Sequence, residues 1–224
     1  MGVARDENWI ELGGGVWERI IMSAMRKRRR MVGIISLLGL ISARAADIST
    51  TYHFSPTLQK EGNPIVTVWH LGWNGLLISE VPFLVLIAAG LWAYGRGRTK
   101  RMTVPVHSSW DFAPLCLYNR AMTKAQFILA SLTGWPLPKD WYQAFRYIGL
   151  ILSWGIISGS LYAVMSWWLI WYYHIGWFWR FYRVSIYNYP VSLLIVALIG
   201  AVIAAVYFFV TETREANNNL SLQS

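Results

Sequence analysis

The stretch "MVGIISLLGLISARAADISTTYHF", residues 31 to 54, decides how the rest of the chain is read. It opens on an apolar run and then carries two charges, Arg44 and Asp47, before it ends. Arg26, Lys27, Arg28, Arg29 and Arg30 stand immediately before it. One reading is a secretory leader, with a basic start, a short apolar core from Met31 to Ile41, and Ala43-Arg44-Ala45 as a small-x-small cleavage site. The other is a retained membrane helix. A helix needs about 20 residues to cross the hydrocarbon, so it has to take both charges in with it.

Composition favours the membrane in either case. Of 224 residues, 55% are hydrophobic, 16% are aromatic and only 14% are charged. Soluble domains carry about 25% charged residues. The apolar runs are continuous rather than alternating, which points to spanning helices and away from barrel strands. The net charge of +9 lies beside those runs, where the rules of membrane insertion put it, so the basic excess requires no nucleic acid. The single cysteine, Cys116, excludes an intrachain disulfide and a CxxC redox or zinc site.

Four apolar runs cover residues 31–54, 71–94, 147–171 and 191–210. They divide the chain into a basic segment 1–30, a hairpin of two spans over 31–94, a loop 95–146, a second hairpin over 147–211 and a polar tail 212–224 that reads as flexible. With the N-terminus inside, the inner segments hold Arg5, Arg19, the run from 26 to 30, Arg96, Arg98, Lys100, Arg101, Arg120, Lys124, Lys139, Arg146 and Arg214. The outer segments hold only Lys60, Arg180 and Arg183. The expected fold is therefore an all-α integral membrane protein with four transmembrane helices and both termini inside, or three helices if a leader is cleaved near Ala45. The expected place is the plasma membrane, which is the inner membrane of a Gram-negative cell, in multi-pass form.

Lipid contacts are expected from two features. The basic residues Arg26, Lys27, Arg28, Arg29 and Arg30 suit anionic headgroups. Trp167, Trp168, Trp171, Trp177 and Trp179 suit an aromatic belt, because indole is apolar but its N–H seeks water. In the loop, residues 114–132 read as one amphipathic helix, with Leu115, Tyr118, Met122, Phe127 and Leu132 apolar and Arg120 and Lys124 four apart on one face.

The retained-helix reading gains from the residues that follow Arg44. Asp47, Thr50, Thr51 and Tyr52 form an Asp-x-x-Thr-Thr-Tyr motif, and Glu61, Asn63 and Pro64 form Glu-x-Asn-Pro before the second span. Over about residues 34–94 the chain thus resembles a family of small polytopic prokaryotic membrane proteins of unknown function. The resemblance implies a retained first helix and no particular activity.

Spacing supplies a physical reason to keep that helix. Arg44 and Asp47 are three apart and share a face. Glu80 in the second span lies at the same depth as Arg44, ~12 to 14 Å below the outer end at ~1.5 Å per residue. A short outer connection makes the two helices antiparallel neighbours, so Arg44, Asp47 and Glu80 are expected to form one intramembrane polar cluster. With His70 and Glu61 nearby, a membrane-embedded hydrolase or transferase is one reading. The sequence carries no HExxH, GxSxG or phosphate-loop pattern, and His70 has no second histidine beside it. No cofactor or metal is expected. A transporter or channel component built as an oligomer around the cluster is a second reading. The first is a non-enzymatic subunit or accessory of a membrane assembly, in contact with lipid and with a protein partner or a second copy of itself. The small-residue face of Gly155, Ser158 and Gly159 is available for such a contact.

Overall fold

The computed structural model describes residues 8–58, 71–97, 106–169 and 189–221. All regular structure among them is helical: α1 (Asn8–Phe54), α2 (Gly72–Arg96), α3 (Ser109–Tyr118), α4 (Lys124–Thr133), α5 (Trp141–Trp167) and α6 (Tyr189–Ser221). Four stretches are long and apolar enough to cross a membrane: Ser23–Phe54, Gly72–Arg96, Trp141–Trp167 and Ser192–Asn218. The protein is a polytopic membrane protein with four candidate spans, each close to the expected positions.

α5 is the centre of the bundle, and α1, α2 and α6 all pack on it. Lipid-like surroundings offer no hydrophobic drive between helices, so close backbone approach and interhelical hydrogen bonds hold them. Both devices are present. A methyl group on Gly149 of α5 would come within 2.7 Å of the Gly90 backbone in α2, so the crossing there tolerates only hydrogen on either side. Trp154 Nε1 donates to Ser36 Oγ at 3.1 Å, and Tyr162 OH donates to Ser192 Oγ at 3.2 Å. Large apolar side chains point outward at helical spacing, among them Ile34, Leu38 and Ile41 of α1, Ile78, Val81 and Val85 of α2, and Leu194, Leu198 and Val202 of α6. These faces contact lipid.

The small residues of α5 serve this bundle rather than an outside partner. Gly155 abuts the backbone of Ala197 in α6, and Ser158 and Trp154 enclose Gly200. The expectation of a free small-residue face is corrected accordingly.

Three other expectations change. The polar segment before residue 31 is not separate from the first span, because α1 is one helix of 47 residues from Asn8. The loop carries two short helices instead of one over 114–132. Asn119 adopts a left-handed conformation (φ 58°) that ends α3, and Thr123 starts α4 with a capping box closed by Gln126. Arg120 thus sits in the link and does not share a helical face with Lys124. Finally, the tail expected to be flexible continues α6 to Ser221, with Thr211, Glu212, Thr213, Glu215 and Ala216 buried.

α3 and α4 form a layer across one end of the bundle. Phe112, Cys116, Leu117, Tyr118, Phe127 and Ala130 turn inward there. The Phe127 ring meets Phe209 of α6 edge-on at 6.0 Å, and Tyr147 of α5 packs on Phe208 at 3.7 Å. Asn217 of α6 pins the chain leading into α3 by bonding both backbone groups of Val106, at 3.0 and 2.8 Å.

Candidate functional site

Two ionic centres lie in the bundle, at opposite ends. They are ~22 Å apart along α1, because 15 residues separate Arg29 from Arg44 at ~1.5 Å each.

The first is the expected one. Arg44 Nε donates to Glu80 Oε2 at 3.2 Å and Nη2 donates to Glu80 Oε1, so the guanidinium grips the carboxylate with both prongs. Nη1 reaches Asp47 one turn on along α1 and also Ser160 Oγ of α5, the latter at 3.1 Å. The centre joins α1, α2 and α5. Its three charged side chains keep 20%, 15% and 17% of their surface exposed for Arg44, Asp47 and Glu80. Depth matching and a shared face were enough to find it in the sequence. Ser160 was not foreseen, since nothing in the chain marks one serine of α5 among several.

The motif residues do not converge on this centre as a group. Thr51 is buried and its carbonyl accepts the Ser55 N–H at 2.8 Å, finishing the helix. Thr50 is half-buried. Tyr52 faces outward, edge-on to Trp73 at 5.5 Å. Glu61, Asn63, Pro64 and His70 lie outside the described residues, so the second motif has no described geometry.

The second centre was missed. Arg29 of α1 donates through Nη1 to the carbonyl of Gly97, just past the end of α2, at 2.7 Å. Its Nη2 pairs with Glu215, and its Nε lies 3.6 Å from Glu212. Arg146 of α5 approaches the same Glu212 oxygen at 3.5 Å and donates to Gln143 Oε1 at 2.5 Å. Its guanidinium sits 5.7 Å from the centre of the Tyr94 ring. Arg146 is fully buried, and the Glu212 side chain keeps 2% of its surface. Four helices meet here. One sequence signal was available: Glu212 and Glu215 are three apart on one face at the polar end of α6, an arrangement that calls for cations. The partners could not be named, because Glu215 is 186 positions along the chain from Arg29.

This geometry corrects two of the lipid-interface expectations. Arg29 is turned into the protein, whereas Arg26, Lys27, Arg28 and Arg30 are exposed. Trp167 is buried against Phe54, with ring centres 5.9 Å apart, whereas Trp168 is exposed. Trp171, Trp177 and Trp179 lie outside the described residues.

The chemistry available is that of charge and hydrogen bonding. Among the described residues no group of three His, Cys, Asp or Glu side chains is placed to hold a metal ion. Outside the spans, a cleft of about 350 Å³ lies beside α4, lined by Arg120, Met122, Gln126 and Trp135 among others. The chain matches no protein-family model, no curated protein and no solved structure.

Proposed function

We propose that this protein is a non-enzymatic subunit or accessory of a membrane assembly, embedded in the plasma membrane by four spans with both termini and the α3–α4 layer on the cytoplasmic side. The observation that carries the reading is the outer surface of that layer. Ile128, Leu129, Trp135, Leu137 and Trp141 are all exposed there, and Trp135 keeps 75% of its surface. Large apolar side chains left exposed together beside spans suit a contact with another protein or with membrane. Leu129 and Trp135 also line the cleft beside Arg120. The interior supports the same view, since both ionic centres tie helices to one another.

The orientation rests on the asymmetry of Lys and Arg. Reporter fusions at residue 120 and after residue 224 should both report the cytoplasm, and an outside signal from either defeats the topology. Purification of the full chain in mild detergent should bring down a stoichiometric partner. Replacing Leu129 and Trp135 by Ser should release that partner while leaving the chain folded. A chain that purifies alone as a monomer from its native membrane counts against the reading.

One observation favours a second reading, a transporter or channel component. The Arg44 centre has two carboxylates for one guanidinium, and charged groups at such depth commonly mark ion pathways.

A further inference from the structure

The two centres differ in how their charges add. Around Arg29 and Arg146, two guanidinium groups meet two carboxylates, Glu212 and Glu215. Around Arg44, Asp47 and Glu80 bring two carboxylates to one guanidinium. The groups facing Asp47 are Arg44 from its own helix, Glu80 from α2 and the hydroxyl of Ser160 from α5; α6 supplies no charged group to it among the described residues. The α2 surface beside Glu80 is lipid-facing, with Ile78 and Val81 exposed. With both carboxylates ionised, the charges of the centre sum to −1 among the described residues, within a span where such charge is expensive.

The two acids are also unequal. Glu80 holds the two-pronged face of the guanidinium, formed by Nε and Nη2. Asp47 has only Nη1, which it shares with Ser160. Two-pronged pairs are the stronger ones. A proton placed on Asp47 therefore leaves the Arg44–Glu80 pair whole and removes the excess charge. A proton placed on Glu80 sacrifices the better contact.

We propose that the Arg44 centre is a proton-binding site in which Asp47 takes up and releases one proton while Glu80 stays ionised on Arg44. Uptake forms one O–H bond on the Asp47 carboxylate and changes the net charge of the centre from −1 to zero; release reverses it, with no electron transferred. The Ser160 hydroxyl serves both states, because it can donate to a carboxylate and accept from a carboxylic acid. The helix tie through Arg44 and Glu80 persists in both states, so the proton can come and go without unfastening α1 from α2. The inference rests on α1, α2 and α5 lying in the membrane and not on what the chain assembles with.

Infrared spectroscopy of the full chain in lipid nanodiscs tests it. At neutral pH the native protein should show the C=O stretch of a protonated carboxylic acid, and that band should fade as pH is raised. The band should be lost in Asp47→Asn. It should also be lost in Glu80→Gln, because one carboxylate then faces one guanidinium and has no excess charge to neutralise. A native protein without the band, or a band that survives either substitution, overturns the proposal. Thermal unfolding in the same nanodiscs provides an independent reading. Asp47→Asn resembles the protonated state in shape and charge, so its unfolding midpoint at neutral pH should stay near native. If Asp47→Asn loses as much as Arg44→Ala, Asp47 is an ionised structural partner and the site is not one for protons.

Discussion

The Arg29–Arg146 centre and the Arg44 centre use the same side-chain chemistry and share α1, α2 and α5, with α6 added at the first, yet they are built for different ends. One is sealed: Arg146 is fully buried, and a backbone carbonyl, a glutamine and the face of Tyr94 surround its charges in addition to two carboxylates. The other is leaner, with one guanidinium, two acids and a hydroxyl, each charged group about one-fifth exposed or less. The lesson is that burial raises the stakes of balance. Removing a charge from water costs several kcal/mol, and only complete pairing offsets it. The sealed centre, at four converging helices, answers that demand with two guanidinium groups against two carboxylates. The lean centre does not match its charges, and the mismatch gives it room to bind something.

This contrast is open to direct attack. The largest effect should come from Arg146→Met, which leaves Glu212 with one fewer cation in a site closed to solvent. A loss of about 3–5 kcal/mol in detergent unfolding is expected, as for other broken buried pairs. Adding Glu212→Gln to that variant should recover much of the loss. A native-like Arg146→Met protein contradicts the sealed description.

At the Arg44 centre, Arg44→Ala and Glu80→Ala should each lose less, about 2–3 kcal/mol: partial exposure softens the cost of the carboxylates orphaned by the first, and Asp47 still faces Arg44 after the second, which loses only the two-pronged tie to α2. The double variant should lose less than their sum by about 0.5–3 kcal/mol. Strictly additive losses would show that the two residues do not act as a pair. The swap of Arg44→Glu with Glu80→Arg should restore part of the stability.

The smallest effect tests whether the layer at the sealed end is part of that centre or only near it. Asn217→Ala removes two hydrogen bonds to Val106 and should cost about 1–2 kcal/mol. Arg28→Ala, next to Arg29 but exposed, removes a contact with the Tyr207 hydroxyl at 3.2 Å and should stay within about 0.5 kcal/mol of native. Equal losses for Arg28 and Arg29 substitutions, read by the same unfolding measurement, would erase the distinction between the exposed basic run and its one buried member.

The sequence alone determined the class and the four spans, and it did so for one physical reason. A bilayer imposes a length of about 20 apolar residues that no tertiary context can override. It also located the Arg44 centre, because depth in a membrane is a coordinate that can be counted along a helix. Where depth does not govern, the residues misled. Arg29 looked like its neighbours in the basic run, and only the closed bundle, which brings the Gly97 carbonyl and the Glu212 and Glu215 carboxylates to it, turned it inward. The tail looked loose because Glu212, Glu215 and Asn217 are polar; their partners, Arg29, Arg146 and Val106, are between 66 and 186 residues away. Such pairings follow from which helices the bundle places side by side, and the small-residue crossings of α5 make that placement. Charge along the chain is local and legible, whereas charge balance across helices exists only once the bundle has closed.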